Sequence, residues 1–439
     1  MAMVVKNNMS AINTLNTLNK NTNALKKSLE KVSSGMKINS AADDASGYAI
    51  SERMRVQIRS LDQANQNAQN GGSMMKVAEG AVSSTVEILK TLKEKAVNAA
   101  NDTNTDSDRA TIQKEMDQSI DQINDNANVT FNGQYLVDGS HNKKTTATTT
   151  AMTNQSLCTD TASTTALTAL KARNGDDLNI HSTDTVTVSF VKDGKTYTSS
   201  MQVGSKSLGE AITSLAKDTE GNAAIAFGDK SNTSLIGVDG SGNNVYTASG
   251  QSGITLNSTA SGIDGQVAGF TVYITDNKGN VNKSANACLD AFDESIRAQN
   301  KSEDNSIVLQ IGTKAAQSIN VGLTDMKATA LGLQGKDGST LSVGNQEKAN
   351  AAINALDAAI QKALDQQTTI GAAESRLEYT QANLTTASEN VTSAESVIRD
   401  ADMAKEMTNY TKNNVLLQAA QSMLSQANQS SSNVLSLLQ

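Results

Sequence analysis

The sequence predicts a mainly α protein in which long helices from both ends of the chain flank a mixed α/β middle segment. Glycine is concentrated in residues 141–295, which hold 15 of the 29 glycines. Proline is absent from all 439 residues, and both flanks contain long glycine-free runs with apolar residues at helical spacing. Proline breaks helices because it lacks an amide hydrogen and its ring clashes with the preceding turn. The flanks therefore predict long helices, and the middle segment predicts a separate domain.

Composition narrows the function classes. The chain is 37% hydrophobic and 3% aromatic, with no tryptophan, so a large aromatic-walled ligand pocket is not expected. Its formal net charge of -8 argues against nucleic acid as a partner, because phosphate binding requires a basic face. No stretch approaches the ~18 apolar residues that a membrane span needs, so we expect no membrane insertion. We expect no secretory signal, because the apolar run of residues 1–5 is short and has no basic region before it.

Residues suited to catalysis or metal binding are sparse. His141 and His181 are the only histidines, and neither stands in the His-Glu-x-x-His spacing of a zinc protease. Cys158 and Cys288 are the only cysteines, too few for a four-cysteine zinc site. Whether these two thiols form a bridge stays open at this point. We therefore expect no catalytic residue, no metal and no cofactor.

The C-terminal flank carries a heptad pattern. Residues 372–439 contain neither glycine nor proline, and a continuous helix there would be about 100 Å long at ~1.5 Å per residue. Large apolar residues recur every seven positions, at Leu377, Leu384, Val391 and Ile398, and alanine stands three residues after each of the last three. This large and small alternation predicts a coiled-coil seam that a partner helix can approach closely.

Both ends of the chain carry an apolar stripe bordered by polar residues. A lone helix of this kind is marginal in water, because most helix stability comes from packing the apolar face. We therefore expect the ends to form long antiparallel coiled-coil helices, packed against each other or against another molecule. The stripe residues are Ile12, Leu15, Leu18, Leu25, Leu29, Val415, Leu416, Met423, Leu424, Val434, Leu435 and Leu438.

Strand and turn signals interrupt the helical pattern. Alternating apolar residues predict a β-hairpin over 307–323, and Asn132-Gly133 predicts a tight turn. In the middle segment, residues 185–203 predict a second hairpin around Asp193-Gly194, followed by a helix over 207–218. The threonine-rich residues 145–153 predict an exposed loop.

The stretch "KINSAADDASGYAISERMR", residues 37–55, holds paired carboxylates that suggest an active site. Asp43 and Asp44 are adjacent, however, so on a helix they project about 100° apart and do not converge on one atom. We expect instead that Gly35 ends the first helix in the left-handed conformation, and that Ser40 caps the next helix together with Asp43. The predicted helix joint comprises Gly35, Ser40, Asp43, Asp44 and Gly47.

The same residues carry a family resemblance. "SSGMKINSAADDASGYAISERM" (33–54) resembles the signature of bacterial flagellin. The similarity continues through "TFNGQYLVDG", "IVLQIGTKAAQSINVGLTDMKATALGL", "ESRLEYTQANLTTASENVTSAESVIRDADMAKEM" and the terminal "SNVLSLLQ". It covers roughly residues 1–140 and 296–439, and so many motifs in the same order make it specific.

The resemblance implies a structural, non-enzymatic subunit of the bacterial flagellar filament, which serves motility. Residues 1–40 and 401–439 would be the inner-tube helices, whose stripes pack in the filament core. Residues 41–140 and 296–400 would form the outer-tube core domain, with the hairpin beside the helices. Residues 141–295 would be the variable surface domain. A hook-filament junction protein is the alternative, since it is built on the same terminal helices.

The resemblance also implies partners and a location. The chain would bind copies of itself, an export chaperone at its C-terminal segment, and the filament cap and hook-filament junction proteins. It would leave the cell unfolded through the flagellar type III export channel and reside outside the cell. Two rival classes explain less: an enzyme in the middle domain lacks a catalytic motif, and a cytosolic coiled-coil scaffold does not explain the missing proline.

Flagellins that a host Toll-like receptor detects present a docking Arg, a Leu one turn later, and a Glu on the adjoining helix. In "LKTLKEKAVNAAN", residues 89–101, the Arg position holds Thr91 and the Leu position holds Lys95. Because a buried Arg anchor contributes strongly to binding, this departure implies weak receptor binding. The residues that agree with the resemblance, and form the candidate receptor surface, are Leu89, Glu94, Val97 and Glu115.

Overall fold

The structure, a computed structural model, describes residues 8–218, 221–227 and 234–437, with the backbone alone for 431–437. Its helices are α1 (Met9–Ser34), α2 (Ala45–Ala99), α3 (Asp106–Ala127), α4 (Leu208–Leu215), α5 (Lys283–Leu289), α6 (Gln346–Arg399) and α7 (Met403–Leu437). The strands are β1 (Thr130–Phe131), β2 (Gln134–Tyr135), β3 (Ala151–Asn154), β4 (Thr185–Lys192), β5 (Lys195–Gln202), β6 (Ile225–Phe227), β7 (Leu235–Val238), β8 (Asn244–Tyr246), β9 (Ile254–Ser258), β10 (Val267–Thr275), β11 (Asp293–Ile296), β12 (Ile307–Gln310) and β13 (Ser318–Val321). The predicted fold class is confirmed.

The chain divides into two compact units, each assembled from segments distant in sequence. The first unit draws on residues 1–68, 310–317 and 379–439. The second unit draws on residues 69–309 and 318–378.

In the first unit, α1 packs against α7 in antiparallel orientation. Helix α1 begins at Met9 because the Asn8 side chain accepts a hydrogen bond from the Ala11 N–H at 3.1 Å, which satisfies one of the unpaired amides of the first turn. Further along the chain, α6 contacts α2 where Ser388 Oγ donates to Asp62 Oδ1 at 3.0 Å. Leu384, Val391 and Ile398 of the predicted heptad seam are half-buried on α6.

The C-terminal helical run is broken rather than continuous. Helix α6 ends at Arg399 and α7 begins at Met403. Asp402 Oδ1 accepts the N–H groups of Ala404 at 3.0 Å and Lys405 at 3.2 Å, so it caps α7. An aspartate that favours a helix cap therefore interrupts the helix without any glycine or proline.

In the second unit, α2, α3 and α6 contribute a helical core. Arg109, with 8% of its surface exposed, closes the α2–α3 turn. Its guanidinium donates to the carbonyl oxygens of Ala99 at 2.9 Å and Asn101 at 3.1 Å. Buried apolar residues of these helices include Val82, Val86, Leu92, Ala96, Met116, Ile120, Ile123, Ala352, Leu356 and Ala359.

The predicted tight turns form as expected. Asn132 and Gly133 adopt φ values of 52° and 79° between β1 and β2, and Asp193 and Gly194 adopt 50° and 70° between β4 and β5. Positive φ at both central residues is the geometry that matches the twist of a two-residue hairpin. The predicted hairpin of β12 and β13 is likewise present.

The described part of the middle segment contains two larger antiparallel sheets, with strand orders β10-β4-β5 and β11-β3-β9-β6, and a two-stranded antiparallel sheet of β7 and β8. Apolar residues of the two larger sheets pack with those of α4 and α5 in one core, which includes Val188, Phe190, Ile212, Ile225, Leu256, Phe270, Val272 and Leu289. Helix α4 lies within the predicted range 207–218. Cys158 and Cys288, whose pairing the sequence left open, are both free thiols.

The prediction of an exposed loop over 145–153 is wrong for most of its residues, since only Thr146 and Ala147 are exposed. Residues from Ala151 onwards form β3, which pairs with β11 on one side and β9 on the other. Thr148 is 7% exposed and Thr150 is 0% exposed, and Thr148 Oγ1 donates to the Arg297 carbonyl at 2.6 Å. Threonine is polar, but its β-branched side chain also packs well on a pleated sheet.

The β4–β5 turn fits closely against the loop 335–339. Ser339 Oγ donates to the Asp193 carbonyl at 2.9 Å. A Cβ added to Gly194 would overlap the Ser339 carbonyl and would lie 2.6 Å from the Gly335 nitrogen. Glycine is therefore needed at position 194 for two reasons: the φ angle is positive, and a second backbone segment leaves no room for a Cβ.

We expect Gly194→Ala to lower the free energy of unfolding by about 3 kcal/mol, because it combines left-handed strain with a backbone overlap. Gly204→Ala is the matched control: its φ is 51°, but a Cβ there meets nothing within 4 Å. The control should lose only about 1 kcal/mol. Urea denaturation measures both losses, and equal losses would contradict the close fit.

Candidate assembly surfaces

The joint between α1 and α2 begins at Gly35. This residue has a φ of 71°, and its N–H donates to the Lys31 carbonyl at 2.9 Å, closing the last turn of α1. Glycine tolerates this left-handed conformation without the steric cost of a Cβ. The chain can therefore leave the helix at Gly35.

The proposed cap at Ser40 is wrong. Helix α2 begins at Ala45, and Asp44 Oδ1 accepts the N–H groups of Ser46 at 3.1 Å and Gly47 at 3.0 Å. Asp44 is therefore the residue that caps the helix. Ser40 and Asp43 instead close the turn before it, where Asp43 Oδ2 accepts the Ser40 N–H at 3.2 Å. Desolvation alone would raise the pKa of Asp43, but the hydrogen bonds from the Asn39 N–H, the Ser40 N–H and the Ser40 hydroxyl together lower it below its usual value.

Gly47 lies in the first turn of α2 and is buried. A Cβ at this position would lie 2.6 Å from Asp44 Oδ2 and 2.7 Å from Ile38 Cδ1. Ile38 is itself only 3% exposed. Gly47 therefore leaves room for an apolar contact that folds the joint back onto the start of α2.

The joint between α1 and α2 is bonded to the break between α6 and α7. The Lys37 N–H donates to the Arg399 carbonyl at 2.7 Å, and the Ala401 N–H donates to the Gly35 carbonyl at 2.9 Å. Met36 and Asp400 form an antiparallel bridge between these bonds. The two interruptions of the helices thus lie side by side and share one short backbone ladder.

The Arg399 side chain covers this ladder. Its Nη1 donates to Glu52 Oε1 at 2.7 Å, and its Nε donates to Met36 Sδ at 3.3 Å. The guanidinium also lies 5.6 Å from the centre of the Tyr48 ring, within cation–π range. The hydrogen bond from Arg399 is the main cause that lowers the pKa of Glu52.

Sequence reasoning missed Arg399, Glu52 and Met36. Arg399 and Glu52 are 347 residues apart in the chain, so no local pattern links them. One signal was available: Arg399 directly follows Ile398, the last large residue of the heptad seam, and therefore stands where the seam meets the end of its helix.

Asparagine side chains fasten α1 to α7. Asn8 Nδ2 donates to the Ala427 carbonyl at 3.1 Å, and Asn21 Nδ2 donates to the Leu416 carbonyl at 3.1 Å. Asn413 Nδ2 donates to Ser28 Oγ at 2.9 Å. The order of these pairs sets the antiparallel register of the two helices.

The face of α1 that packs on α7 is only partly apolar. Leu18 and Leu25 of the predicted stripe are half-buried, and polar Asn21 is half-buried between them. The most deeply buried residue of α1 is also polar: Ser28 is 7% exposed. Leu424 of α7 is half-buried and Ala420 is buried. The interface within the chain therefore buries less apolar surface than the predicted stripe contains.

Other stripe residues remain exposed in the first unit. The stripe residues that are at least two-fifths exposed are Ile12, Leu15, Leu29, Val415, Leu416 and Met423, and Met9 of α1 and Met403 and Met407 of α7 are exposed to a similar degree. The predicted stripe residue Leu438 lies outside the described residues, as do the side chains of Val434 and Leu435. The two helices thus share a modest mutual interface and present further apolar surface away from it.

The candidate receptor surface on α2 and α3 is only partly as predicted. Leu89 is fully buried in the core, so its assignment to a surface is wrong: the helical spacing that places Leu89 with Val82 and Val86 turns it inward. Val97 is 52% exposed, and Glu94 and Glu115 are exposed. Lys95 Nζ donates to Glu115 Oε2 at 2.9 Å, so this carboxylate has a partner within the chain.

The described residues contain no cluster of three or more His, Cys, Asp or Glu side chains that could hold a metal ion, and none of their helices is long and apolar enough to cross a membrane. His141 Nδ1 lies 3.3 Å from the Asn305 carbonyl, and His181 Nδ1 lies 3.8 Å from Asp184 Oδ2. The contacts that distinguish this chain are thus helix joints and helix faces.

Family models match both flanks. The model of the bacterial flagellin N-terminal helical region matches residues 5–142, and that of the C-terminal helical region matches residues 353–438. The chain is similar to a flagellin of Clostridium tyrobutyricum, with 34% identity covering 97% of this chain and 99% of the other. It is also similar to a flagellin of Bacillus subtilis, with 30% identity covering 99% of this chain and all of the other. The flagellar filament 33 kDa core protein of Treponema phagedenis is 30% identical to it, again covering 99% of this chain and all of the other.

The Arg399–Glu52 contact gives a pH-dependent prediction. Because the pKa of Glu52 is lowered from 4.5, the pair stabilises the fold above that pH, and this contribution is lost as the pH falls through the lowered value. We expect Glu52→Gln to lower the unfolding temperature at neutral pH by about 3 °C and to match the unchanged protein in acid. Thermal unfolding across pH measures this. The control is Glu87→Gln, whose carboxylate forms an exposed ion pair with Lys90, and its unfolding temperature should change little. If the lower unfolding temperature of Glu52→Gln persists in acid, the assignment is contradicted.

Proposed function

The chain belongs to the bacterial flagellin family, and we propose that it assembles through the exposed apolar stripes of α1 and α7. As a flagellin it is a structural subunit that polymerises through its terminal helices into the flagellar filament used for motility. The relatives reported above are flagellins or filament core proteins over nearly their whole length, which favours the filament subunit over a hook-filament junction protein.

One observation carries the assembly proposal. On α1, polar Asn21 and Ser28 face α7, while apolar Ile12, Leu15 and Leu29 are 46%, 46% and 51% exposed. A helix normally turns its apolar face toward the core. Exposed apolar surface of this extent marks an interaction site. Neighbouring copies of the same helices supply a matching apolar surface, since α7 also exposes Val415 and Met423.

The proposed domain arrangement follows the joints. We place residues 1–40 and 401–439 in the inner tube of the filament, and residues 41–140 and 296–400 in its outer tube. Both boundaries fall at the bonded interruptions, one between α1 and α2 and one between α6 and α7, which supports the division. Residues 141–295 would then face solvent as the variable domain.

The same exposed surface supports the remaining partners that we propose. Before assembly, the apolar side chains of α7 need cover, and a dedicated export chaperone that binds residues 401–439 would provide it. The filament cap and the hook-filament junction proteins would meet the subunit at the two ends of the filament through the same helices. Export through the flagellar channel would place the protein outside the cell, where it acts without enzymatic activity.

Binding to the host Toll-like flagellin receptor would be weak. Thr91 stands where a docking Arg is expected, and its hydroxyl donates to the Glu87 carbonyl of its own helix at 3.1 Å. Lys95 stands in place of a leucine and pairs with Glu115. A receptor contact would therefore lack an anchor and would have to break or cover an existing ion pair, which costs desolvation energy.

Removing either terminal helix tests the assembly proposal. We expect deletion of residues 1–35 or of 405–439 to give a soluble, folded protein that does not form filaments, because the apolar partner surface is lost while the second unit is untouched. Electron microscopy after salt-induced assembly, with circular dichroism to show folding, measures both properties. Filaments formed by either deletion would refute the proposal.

A single substitution refines this test. Leu15→Asn should raise the critical concentration for assembly about tenfold, since it removes one apolar contact of ~1.4 kcal/mol. Asn16→Ala is the matched control, because Asn16 is the exposed polar neighbour on the same helix, and it should assemble normally. Sedimentation of polymer across protein concentrations distinguishes the two; equal critical concentrations would place the assembly surface elsewhere.

The receptor surface makes a separate prediction. Thr91→Arg combined with Lys95→Leu should raise agonist potency about tenfold or more, because it adds an anchor and frees Glu115 from its ion pair. A dose response of receptor-reporter cells with monomeric protein measures potency. Thr111→Arg, at an exposed position of α3, controls for added charge and should give no gain. No increase in the double variant would contradict the assignment.

A further inference from the structure

The chain contains three Asn-Gly pairs, at residues 70–71, 132–133 and 174–175. The amide of an asparagine can react with the backbone nitrogen of the next residue, and glycine allows the closest approach because it has no Cβ. We infer that Asn174 is the site among these at which the protein is modified by spontaneous deamidation, which converts the side-chain amide into a carboxylate.

The reaction needs only water. The Gly175 nitrogen loses its proton to solvent and bonds to Cγ of Asn174, and the tetrahedral intermediate then releases Nδ2 as ammonia after that nitrogen takes up a proton. The resulting cyclic imide is hydrolysed at one of its two carbonyls, giving aspartate or isoaspartate. The net change is addition of water and loss of ammonia, with one new negative charge and no oxidation or reduction.

The loop that holds Asn174 favours this attack. Asn174 is exposed, and its Oδ1 accepts the Asp176 N–H at 3.1 Å. Negative charge develops on this oxygen when the tetrahedral intermediate forms, and a donor already aimed at it lowers the barrier. Gly175 has a φ of 92°, and its N–H donates to the Ala172 carbonyl at 2.9 Å, while the Ala172 N–H donates to the Asp176 carbonyl at 2.9 Å. These two bonds of an exposed turn must open before the Gly175 nitrogen can turn toward Cγ.

Asn70 is protected by its helix. The pair 70–71 lies in the interior of α2, where the Gly71 N–H belongs to the helical hydrogen-bond ladder. Gly71 is also buried, and a Cβ there would lie 2.6 Å from Leu309 Cδ1. Cyclisation therefore requires local unfolding of a packed helix, which the rest of the core opposes.

Asn132 is an intermediate case. It is exposed in the β1–β2 turn, but its φ of 52° belongs to a turn fixed by strand pairing on both sides. Within the described residues, its side-chain oxygen accepts no hydrogen bond of the kind that Asp176 gives to Asn174. The turn lacks the donor that would stabilise the intermediate.

Deamidation changes the loop that it occurs in. Asn174 Nδ2 now donates to Asp176 Oδ2 at 2.5 Å. After conversion, two carboxylates would stand at this spacing, and like charges repel strongly at such a distance. The hydrogen bond across the loop is thereby replaced by repulsion, and the segment from Ala172 to Asp176 loosens.

The experiment incubates the full-length protein at neutral pH in oxygen-18 water and follows each Asn-Gly pair by peptide mass mapping. Oxygen-18 uptake separates deamidation during incubation from deamidation during digestion. We expect Asn174 to convert fastest, Asn132 several-fold more slowly, and Asn70 at least about tenfold more slowly than in the urea-unfolded chain. Conversion of Asn174 at or below the rate of Asn132 would overturn the inference.

Two variants complete the test. Asn174→Gln keeps the amide but would require a larger, slower-forming ring, so oxygen-18 uptake at this loop should be abolished while the other pairs are unchanged. Asn174→Asp mimics the product and should speed amide hydrogen exchange in residues 172–176 relative to the unchanged protein. Unaltered exchange in that loop would refute the proposed consequence, and uptake retained in Asn174→Gln would refute the site.

Discussion

The bonded pair of helix joints is the interaction on which the first unit depends. The Lys37 N–H and the Arg399 carbonyl, 2.7 Å apart, fix where the chain leaves α1 relative to where it leaves α6. Because the two interruptions are opposite each other, α1 can pair with α7 and α2 with α6 in constant register. A shift of one residue at either joint would turn every side chain of the following helix by about 100°.

This arrangement separates rigid from adaptable contacts. At the joints the bonds are backbone to backbone, and Arg399 is 7% exposed, so exchange with water is limited. Between α1 and α7 the bonds come from asparagine side chains, and the interface includes polar Asn21 and Ser28. Polar contacts of this kind define register while contributing little net stability. The terminal helices are therefore positioned by the joints but held to one another weakly, as suits helices that complete their packing on assembly.

Sequence reasoning succeeded where structure is set by near neighbours. Asn132-Gly133 and Asp193-Gly194 form the expected turns because positive φ is a local requirement that few residues meet. It failed where several residues could meet the same requirement, as with the cap of α2. Ser40, Asp43 and Asp44 are all residue types that cap helices, and in the structure Asp44 Oδ1 accepts the N–H groups of Ser46 and Gly47.

Long-range contacts were beyond local patterns for a different reason. Thr148 and Thr150 were predicted to lie in a loop because they are polar, and polarity does not predict which strands will cover a residue. Their hydrogen-bond partners, Arg297 and Ser258, lie more than 100 residues away in the chain. The Arg399–Glu52 pair is more distant still. The spacing of the stripes predicted which helices are amphipathic, but only the structure showed which part of each stripe the chain leaves uncovered.

The paired joints also have a mechanical meaning. A pull along α1 reaches α2 through residues 35–44, and a pull along α7 reaches α6 through residues 400–402. Since these two connections are bonded to each other, tension on one chain end is divided between both. The hydrogen bonds between the two connections must break together before the connections can slide past each other, whereas a single connection without such bonds would extend first. A filament that is twisted and bent as it turns would thus transmit torque through both of these chain connections in each subunit.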